Sequence, residues 1–307
     1  MGRKSVLVPA AIEVLRQYDS RVTIRQLYYR LVSKGIVKNS VSSYNTLIRE
    51  LVKARRDGRI PYAAFEDRTR HSIVGDAPNY AEPDSQNIFS EAIDTYENAE
   101  ENALESLKAT DYEYDLPFWW EQLIYIEVWV EKQALNNLFQ PITEKYHVTF
   151  VPCRGYPSLS LLYECSKRLR TVPPYRKIRI LYFGDYDVRG INIMENIDRS
   201  LNGEFGIRAN LIRCALTREQ INQYQLPPAP TKKTDSMAQG WIQTQGDVAW
   251  ELDALEPHIL EAIIDNAIKE QINFDVRKNR EETIRENREW IGTQVSEYLA
   301  EQGLGDV

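Results

Sequence analysis

The sequence predicts an α+β, multidomain chain. A small basic helical domain is expected over residues 1–70, an acidic connecting stretch over 71–117, and over 118–307 an α/β unit with a parallel sheet and a mainly helical C-terminal part. Three observations carry this expectation. Charge is uneven: the chain has a net charge of −7, yet residues 1–70 hold 15 Lys and Arg against 6 Asp and Glu. Composition breaks between His71 and Pro117, where 12 acidic residues accompany one basic residue, Lys108. Beyond Trp120, strand and helix patterns alternate, which is the signature of a parallel sheet flanked by helices with its site at the carboxyl ends of the strands.

The elements follow in order. Val8 to Tyr18 reads as a helix. Thr23-Ile24-Arg25-Gln26 offers a T-x-x-Q capping box for a second helix that Gly35 ends. Ser42 or Ser43 can cap a third, running to about Arg56, and DGRIPY supplies a turn into a β-wing. Helix, helix, helix, wing is the winged-helix order. In the third helix Tyr44, Leu47, Ile48, Leu51 and Val52 make an apolar stripe. The opposite side presents Asn45, Arg49, Lys53 and Arg56, joined by Arg59 from the wing, a row long enough to lie along a nucleic-acid groove. A plain solvated basic face would have the same composition.

An acidic helix is expected from about Asn87 to Lys108. Then QLIYIEVWVEK reads as a buried strand, ALNNLFQPITEKY as a helix, HVTFVPCRGYPS as a strand and loop, and SLSLLYECSKRLR as a helix. KIRILYFGDYDVRG reads as a strand ending in acids, INIMENIDRSL as a helix and IRANLIRCAL as a strand. Pro257 opens a helix to about Ile272, and a charged helix follows from about Arg277. No apolar run is long enough for a membrane span, and the first 20 residues lack a signal-peptide core, so a cytoplasmic, nucleoid-associated protein with no membrane partner is expected. Cys153, Cys165 and Cys214, with His71, His147 and His258, form no zinc spacing.

Two places carry chemistry. In RQLYYRLVSKG the stripe Ile24, Leu27, Tyr28, Leu31 and Val32 assigns Tyr28 to the core, while Tyr29 is rotated about 100° onto a polar face with Arg25 one turn earlier. Asp185 and Asp187 leave a hydrophobic strand at i and i+2, and an earlier strand ends in Glu131-Lys132. Three carboxylates at neighbouring strand ends suit Mg²⁺, although acids after a strand also serve as helix caps. Glu251 and Asp253 suit either further acids of this site or a helix start. For Arg154, Arg189, Lys232 and Lys233, phosphate contact and surface charge fit equally. Gly155-Tyr156-Pro157-Ser158 reads as a loop determinant.

Glu-Lys after the first strand and D-x-D-x-x-G after the third resemble the Toprim domain of topoisomerases, primases and some nucleases. With R-x-x-Y-Y upstream in a winged-helix order, the chain resembles the A subunit of type IIB topoisomerase VI and the related meiotic double-strand-break transesterase, and above all the compact topoisomerase mini-A variants. The resemblance is specific from about Arg21 to Gly190, and GDVAWELDALEP extends it. It implies a nucleophile at Tyr29 with Arg25 beside it, metal-binding acids at Glu131, Asp185 and Asp187, and a homodimer that cuts both strands of a duplex through a 5′-phosphotyrosyl link. Val188 and Arg189 stand where the topoisomerase VI subunit has proline after D-x-D. The N-terminal extension that meets an ATPase is not seen, which leaves a separate ATPase (B-type) subunit open. A phenol, with a pKa near 10, needs activation to attack phosphorus. A Mg²⁺-dependent hydrolytic nuclease and a catalytically dormant DNA-binding dimer remain as alternatives.

Overall fold

The computed structural model describes residues 3–18, 21–67, 72, 73, 75, 99–230 and 238–304. Helices α1 (Arg3–Leu15), α2 (Ile24–Ser33) and α3 (Val41–Arg56) pack around Val8, Val14, Leu27, Leu31, Leu47 and Leu51. α2 starts at the expected capping box: Gln26 N donates to Thr23 Oγ1 at 3.1 Å and Thr23 N to Gln26 Oε1 at 2.8 Å. α1 begins and ends earlier than Val8 and Tyr18 suggest. α3 is capped by Ser40 rather than Ser42 or Ser43, its Oγ accepting from Ser43 N at 3.2 Å. Tyr28 is the reason: Ser40 N donates to its hydroxyl at 2.8 Å, holding Ser40 in the extended geometry a cap needs.

The expected β-wing is not formed among the described residues. Tyr62–Ala64 make a 3₁₀ turn, and Phe65 joins Val22 through a single parallel bridge. Pro61 has no N–H for a ladder. Arg55 then takes the Tyr62 carbonyl at 2.9 Å and turns the segment toward the rest of the chain.

Of the acidic helix, the described part is α4 (Ala99–Glu113); residues 87–98 of the expected helix, like Lys232 and Lys233, lie outside the described residues. The sheet alternates as predicted: β1 (Ile124–Val130), α5 (Asn136–Lys145), β2 (Thr149–Pro152), α6 (Leu159–Arg170), β3 (Lys177–Phe183), α7 (Val188–Asp198) and β4 (Ala209–Ala215). All pairings are parallel, in the order β2-β1-β3-β4. Next come α8 (Arg218–Gln223), α9 (Ala238–Gln245), α10 (Pro257–Lys269) and α11 (Phe274–Glu301). α11 starts three residues before Arg277 because Asn273 Oδ1 accepts from Asp275 N and Val276 N. No helix among the described residues is long and apolar enough to cross a membrane.

Parallel strands are buried on both faces. Trp129, Ile180 and Tyr182 meet Leu162, Cys165 and Ile193 of α6 and α7 on one face; Val128, Leu181 and Phe183 meet Phe139 of α5 and Leu260 and Ile264 of α10 on the other. The helical head attaches beside the first face. Arg55, 1% exposed, donates to Ser160 Oγ at 3.2 Å, Tyr62 stacks on Tyr163 at 5.3 Å, Arg21 pairs with Glu164, and Arg56 pairs with Glu204 at 2.7 Å. Val52, assigned by its spacing to the head's own stripe, packs here instead. Burial pulls the Arg55 guanidinium down to about 10.

A carboxylate lies inside the sheet. Glu127, in mid-β1, is fully buried and accepts from Arg168 Nε (2.8 Å) and Nη2 (3.0 Å), Tyr125 Oη (2.9 Å) and Trp129 Nε1 (2.9 Å). Burial alone would lower the Arg168 pKa, but attraction to Glu127 raises it well above its ordinary value. Such a pair is costly to break from one side. Glu127→Ala is expected to lose roughly 3–5 kcal/mol in urea unfolding, and Glu127→Leu combined with Arg168→Leu to lose much less. Equal losses would show that the unpaired guanidinium is not the source of the cost.

Candidate active site at the strand ends

Because β1 and β3 are adjacent and parallel, their carboxyl ends lie side by side, and the chain turns there within a few residues. Glu131 follows β1 and is 7% exposed; Asp185 follows β3 and is also 7% exposed. Asp185 N donates to Glu131 Oε2 at 3.1 Å, so the end of one strand is tied to the turn after the other. Two glycines make this approach feasible. A Cβ on Gly184 would stand 2.8 Å from Glu131 Oε2, and one on Gly190 would stand 2.2 Å from the Asp185 carbonyl oxygen. Asp187 is the N-cap of α7, its Oδ1 accepting from Gly190 N at 2.6 Å.

Burial first, then Asp185 and Asp187, push the Glu131 carboxyl up to about 7. Burial also raises Asp185, against the pull of the Leu252 N–H and of Lys132. Lys132 Nζ lies 3.1 Å from each of Asp185 Oδ1, Glu251 Oε2 and Asp253 Oδ2. Those carboxylates outweigh burial and hold its ammonium above its ordinary value. The 3₁₀ turn Leu252–Ala254 is pinned over the site, since Leu252 N donates to Asp185 Oδ1 at 2.8 Å and Tyr186 and Trp250 exchange backbone bonds. Glu251 and Asp253, left open between two roles by the sequence, therefore reach the site through Lys132.

Arg213 of β4 was not anticipated. Its guanidinium donates to the Gly184 carbonyl at 3.1 Å, to the Asp185 carbonyl and to the Leu216 carbonyl at 2.7 Å, and it sits over the Tyr182 and Tyr186 rings. It grips the turn carrying D-x-D from behind. The available signal was an arginine inside a mostly apolar strand, ANLIRCAL.

Oxygen-only donors match the chemistry of a hard divalent cation, which needs one or two protein carboxylates and keeps its waters. Glu131 and Asp185 fit that requirement. Asp187 is turned to its helix, and among the described residues no group of three or more His, Cys, Asp or Glu side chains is arranged to hold a metal ion.

On the head, the two tyrosines divide as their helical positions predict. Tyr28 is 4% exposed and its hydroxyl is held at Ser40; Tyr29 is 51% exposed. A side-chain hydrogen bond donated by Arg25 to the Tyr29 oxygen, with Coulombic attraction from Tyr29 and Tyr44, holds the Arg25 guanidinium above its ordinary value. Arg49, Lys53, Arg56 and Arg59 are all exposed, but Arg56 is engaged by Glu204 and Arg59 by Asp57 at 3.1 Å. Arg154 and Gly155 have φ +56° and +77° and form the turn before α6, and Arg189 lies over the Tyr156 ring at 6.0 Å. Within one chain, no hydrogen bond or ion pair among the described residues joins Tyr29 to the strand-end acids. The chain matches no protein-family model and no curated protein.

The Glu131 shift gives a pH signature. A carboxyl whose folded pKa is raised contributes stability that is fully present below its ordinary 4.5 and is lost as pH rises through about 7. In the presence of a chelator, Glu131→Gln is expected to match wild type near pH 4.5 and to exceed it at pH 8 by on the order of 2 kcal/mol. Parallel stability curves for the two proteins would overturn the assignment.

Proposed function

We propose that this chain is a DNA transesterase of the type IIB topoisomerase A-subunit kind, with a winged-helix-like head and a Toprim-like body, cutting duplex DNA as a homodimer in the nucleoid. The observation that carries the reading is the division of the tyrosine pair. One hydroxyl is locked inside the head, and the other stands in solvent against an arginine, on the basic domain and not in the core. The strand-end carboxylates support it from the other side.

In the reaction, Tyr29 Oη forms a bond to phosphorus as the bond from phosphorus to the 3′ oxygen breaks. The phenolic proton passes to solvent, and the leaving oxygen takes a proton to become a 3′-hydroxyl. One phosphoester replaces another, so the free 3′-hydroxyl can reverse the cut. Arg25 stabilises negative charge on the phenolic oxygen and on the phosphoryl group. Glu131 and Asp185, with Asp187 once released from its cap, would hold Mg²⁺, which when bound supplies electrostatic stabilisation of the phosphate oxygens and the leaving oxygen. Because Tyr29 and the acids are not joined within one chain, the reading draws them from two protomers.

A second reading, the dormant DNA-binding dimer, is favoured by one feature: Lys132 already places a cation among Asp185, Glu251 and Asp253. Supercoiled DNA, Mg²⁺ and a denaturing quench separate the readings. The transesterase leaves protein covalently attached to 5′ ends in wild type and Tyr28→Phe, and none in Tyr29→Phe, which should fold and bind normally. Cut DNA with no attached protein indicates a hydrolytic nuclease, and uncut DNA with intact binding indicates the dormant dimer.

DNA binding itself is expected to weaken steeply with salt. Arg49→Gln and Lys53→Gln should each lower the slope of log K against log salt by about one. Glu204→Gln should tighten binding by freeing Arg56. Salt-insensitive binding would remove the phosphate-contact role.

A further inference from the structure

An ammonium group has three N–H donors, and each donor of Lys132 has a carboxylate. Asp185 Oδ1, Glu251 Oε2 and Asp253 Oδ2 all lie 3.1 Å from its Nζ. The three acceptors are not alike. The Asp185 side chain is 10% exposed and belongs to the pair of acids that suit a divalent cation, whereas those of Glu251 and Asp253 are 48% and 45% exposed and flank Leu252 on one short turn.

Leu252 joins the two halves of this arrangement. Its N–H donates at 2.8 Å to Asp185 Oδ1, the same oxygen that Lys132 approaches. One carboxylate oxygen thus takes two donors from a single assembly: the Leu252 amide, and the lysine held by the residues on either side of Leu252. Withdrawing Lys132 from Asp185 removes one of the ties that keep the turn against β3, and it leaves the Leu252 bond to compete alone for that oxygen. The turn itself cannot swing away. The Leu252 side chain is fully buried, and just before it Tyr186 and Trp250 exchange backbone bonds of 2.8 and 3.1 Å. What the geometry permits is a short rocking motion in which one hydrogen bond is given up.

A divalent ion and an ammonium on one carboxylate repel each other, and in a partly buried site salt screens that repulsion little. Lys132 has an alternative that leaves it paired. It can release Asp185 and keep Glu251 and Asp253, whose exposed side chains are able to follow it.

We propose that Lys132 is a tethered counter-ion that holds the cation position at Asp185 and hands it over on metal binding, an inference that rests on the reading of Glu131 and Asp185 as Mg²⁺ ligands. Lys132 then withdraws to Glu251 and Asp253, and the Leu252 N–H gives up Asp185 Oδ1. Loading of the strand-end acids is thereby reported to the turn Leu252–Ala254, on the surface of the site.

The test uses the full chain near neutral pH. Mn²⁺ affinity, read by electron paramagnetic resonance, is expected to be about tenfold or more tighter in Lys132→Met than in wild type. The second measurement needs no change at the lysine. In wild type labelled with nitrogen-15 leucine, saturating Mg²⁺ is expected to speed exchange of the Leu252 amide by on the order of tenfold, while the amide of Leu169 in α6 is unchanged. Mn²⁺ binding no tighter in Lys132→Met, or Mg²⁺ binding that leaves the Leu252 amide as it was, makes Lys132 a fixed structural cation and overturns the proposal while the metal reading stands. Absence of Mn²⁺ binding in both proteins overturns the two together.

Discussion

A carboxylate at the end of β1 can accept a hydrogen bond from the turn after β3 only because nothing stands between them. The Glu131–Asp185 bond sets the spacing of the strand ends, and it requires two positions without a Cβ, Gly184 and Gly190. Once it forms, the next residues have few choices. Asp187 falls where it caps α7, Asp185 meets the Leu252 N–H, and Lys132 is drawn among three acids. The burial that makes the bond strong also raises the cost of charge on Glu131. Fold and electrostatics here are one arrangement described twice.

The same economy appears inside the sheet. Tyr125, Glu127, Trp129 and Glu131 alternate onto one face of β1, so a single strand carries a buried ion pair at its middle and an acid at its end. Glu127 is saturated by four donors and is an anchor. Glu131 has one backbone donor and a lysine nearby, and so remains chemically available. The difference between a structural and a candidate functional carboxylate on one strand is the number of donors around it.

Much of this was legible in the sequence because its signals are local and periodic. Alternating apolar runs gave the strands, T-x-x-Q gave the start of α2, and a 100° rotation separated Tyr28 from Tyr29. The failures involve contacts between distant residues. The wing was expected from DGRIPY, yet Arg55 draws Tyr62 toward α6; Ser40 displaced Ser42 and Ser43 as a cap because Tyr28, twelve residues earlier, holds it. Glu127 looked like one polar residue in an apolar strand, with nothing nearby to name Arg168. Arg213 was hidden for the same reason. Local pattern reveals which face a side chain occupies, and long-range packing decides which group it meets there.

The Arg56–Glu204 pair changes what the basic row on α3 means. Counted from the sequence, the head has a large surplus of positive charge, but one member of that row is already neutralised from within the molecule. Any polyanion approaching this face competes with a tethered carboxylate whose effective concentration does not fall on dilution. If this face binds a polyanion, the ligand has to displace Glu204 before it can engage Arg56, which favours one that presents several charges at once. Selectivity for long, regularly charged polymers would then arise from an internal contact, with no specialised pocket.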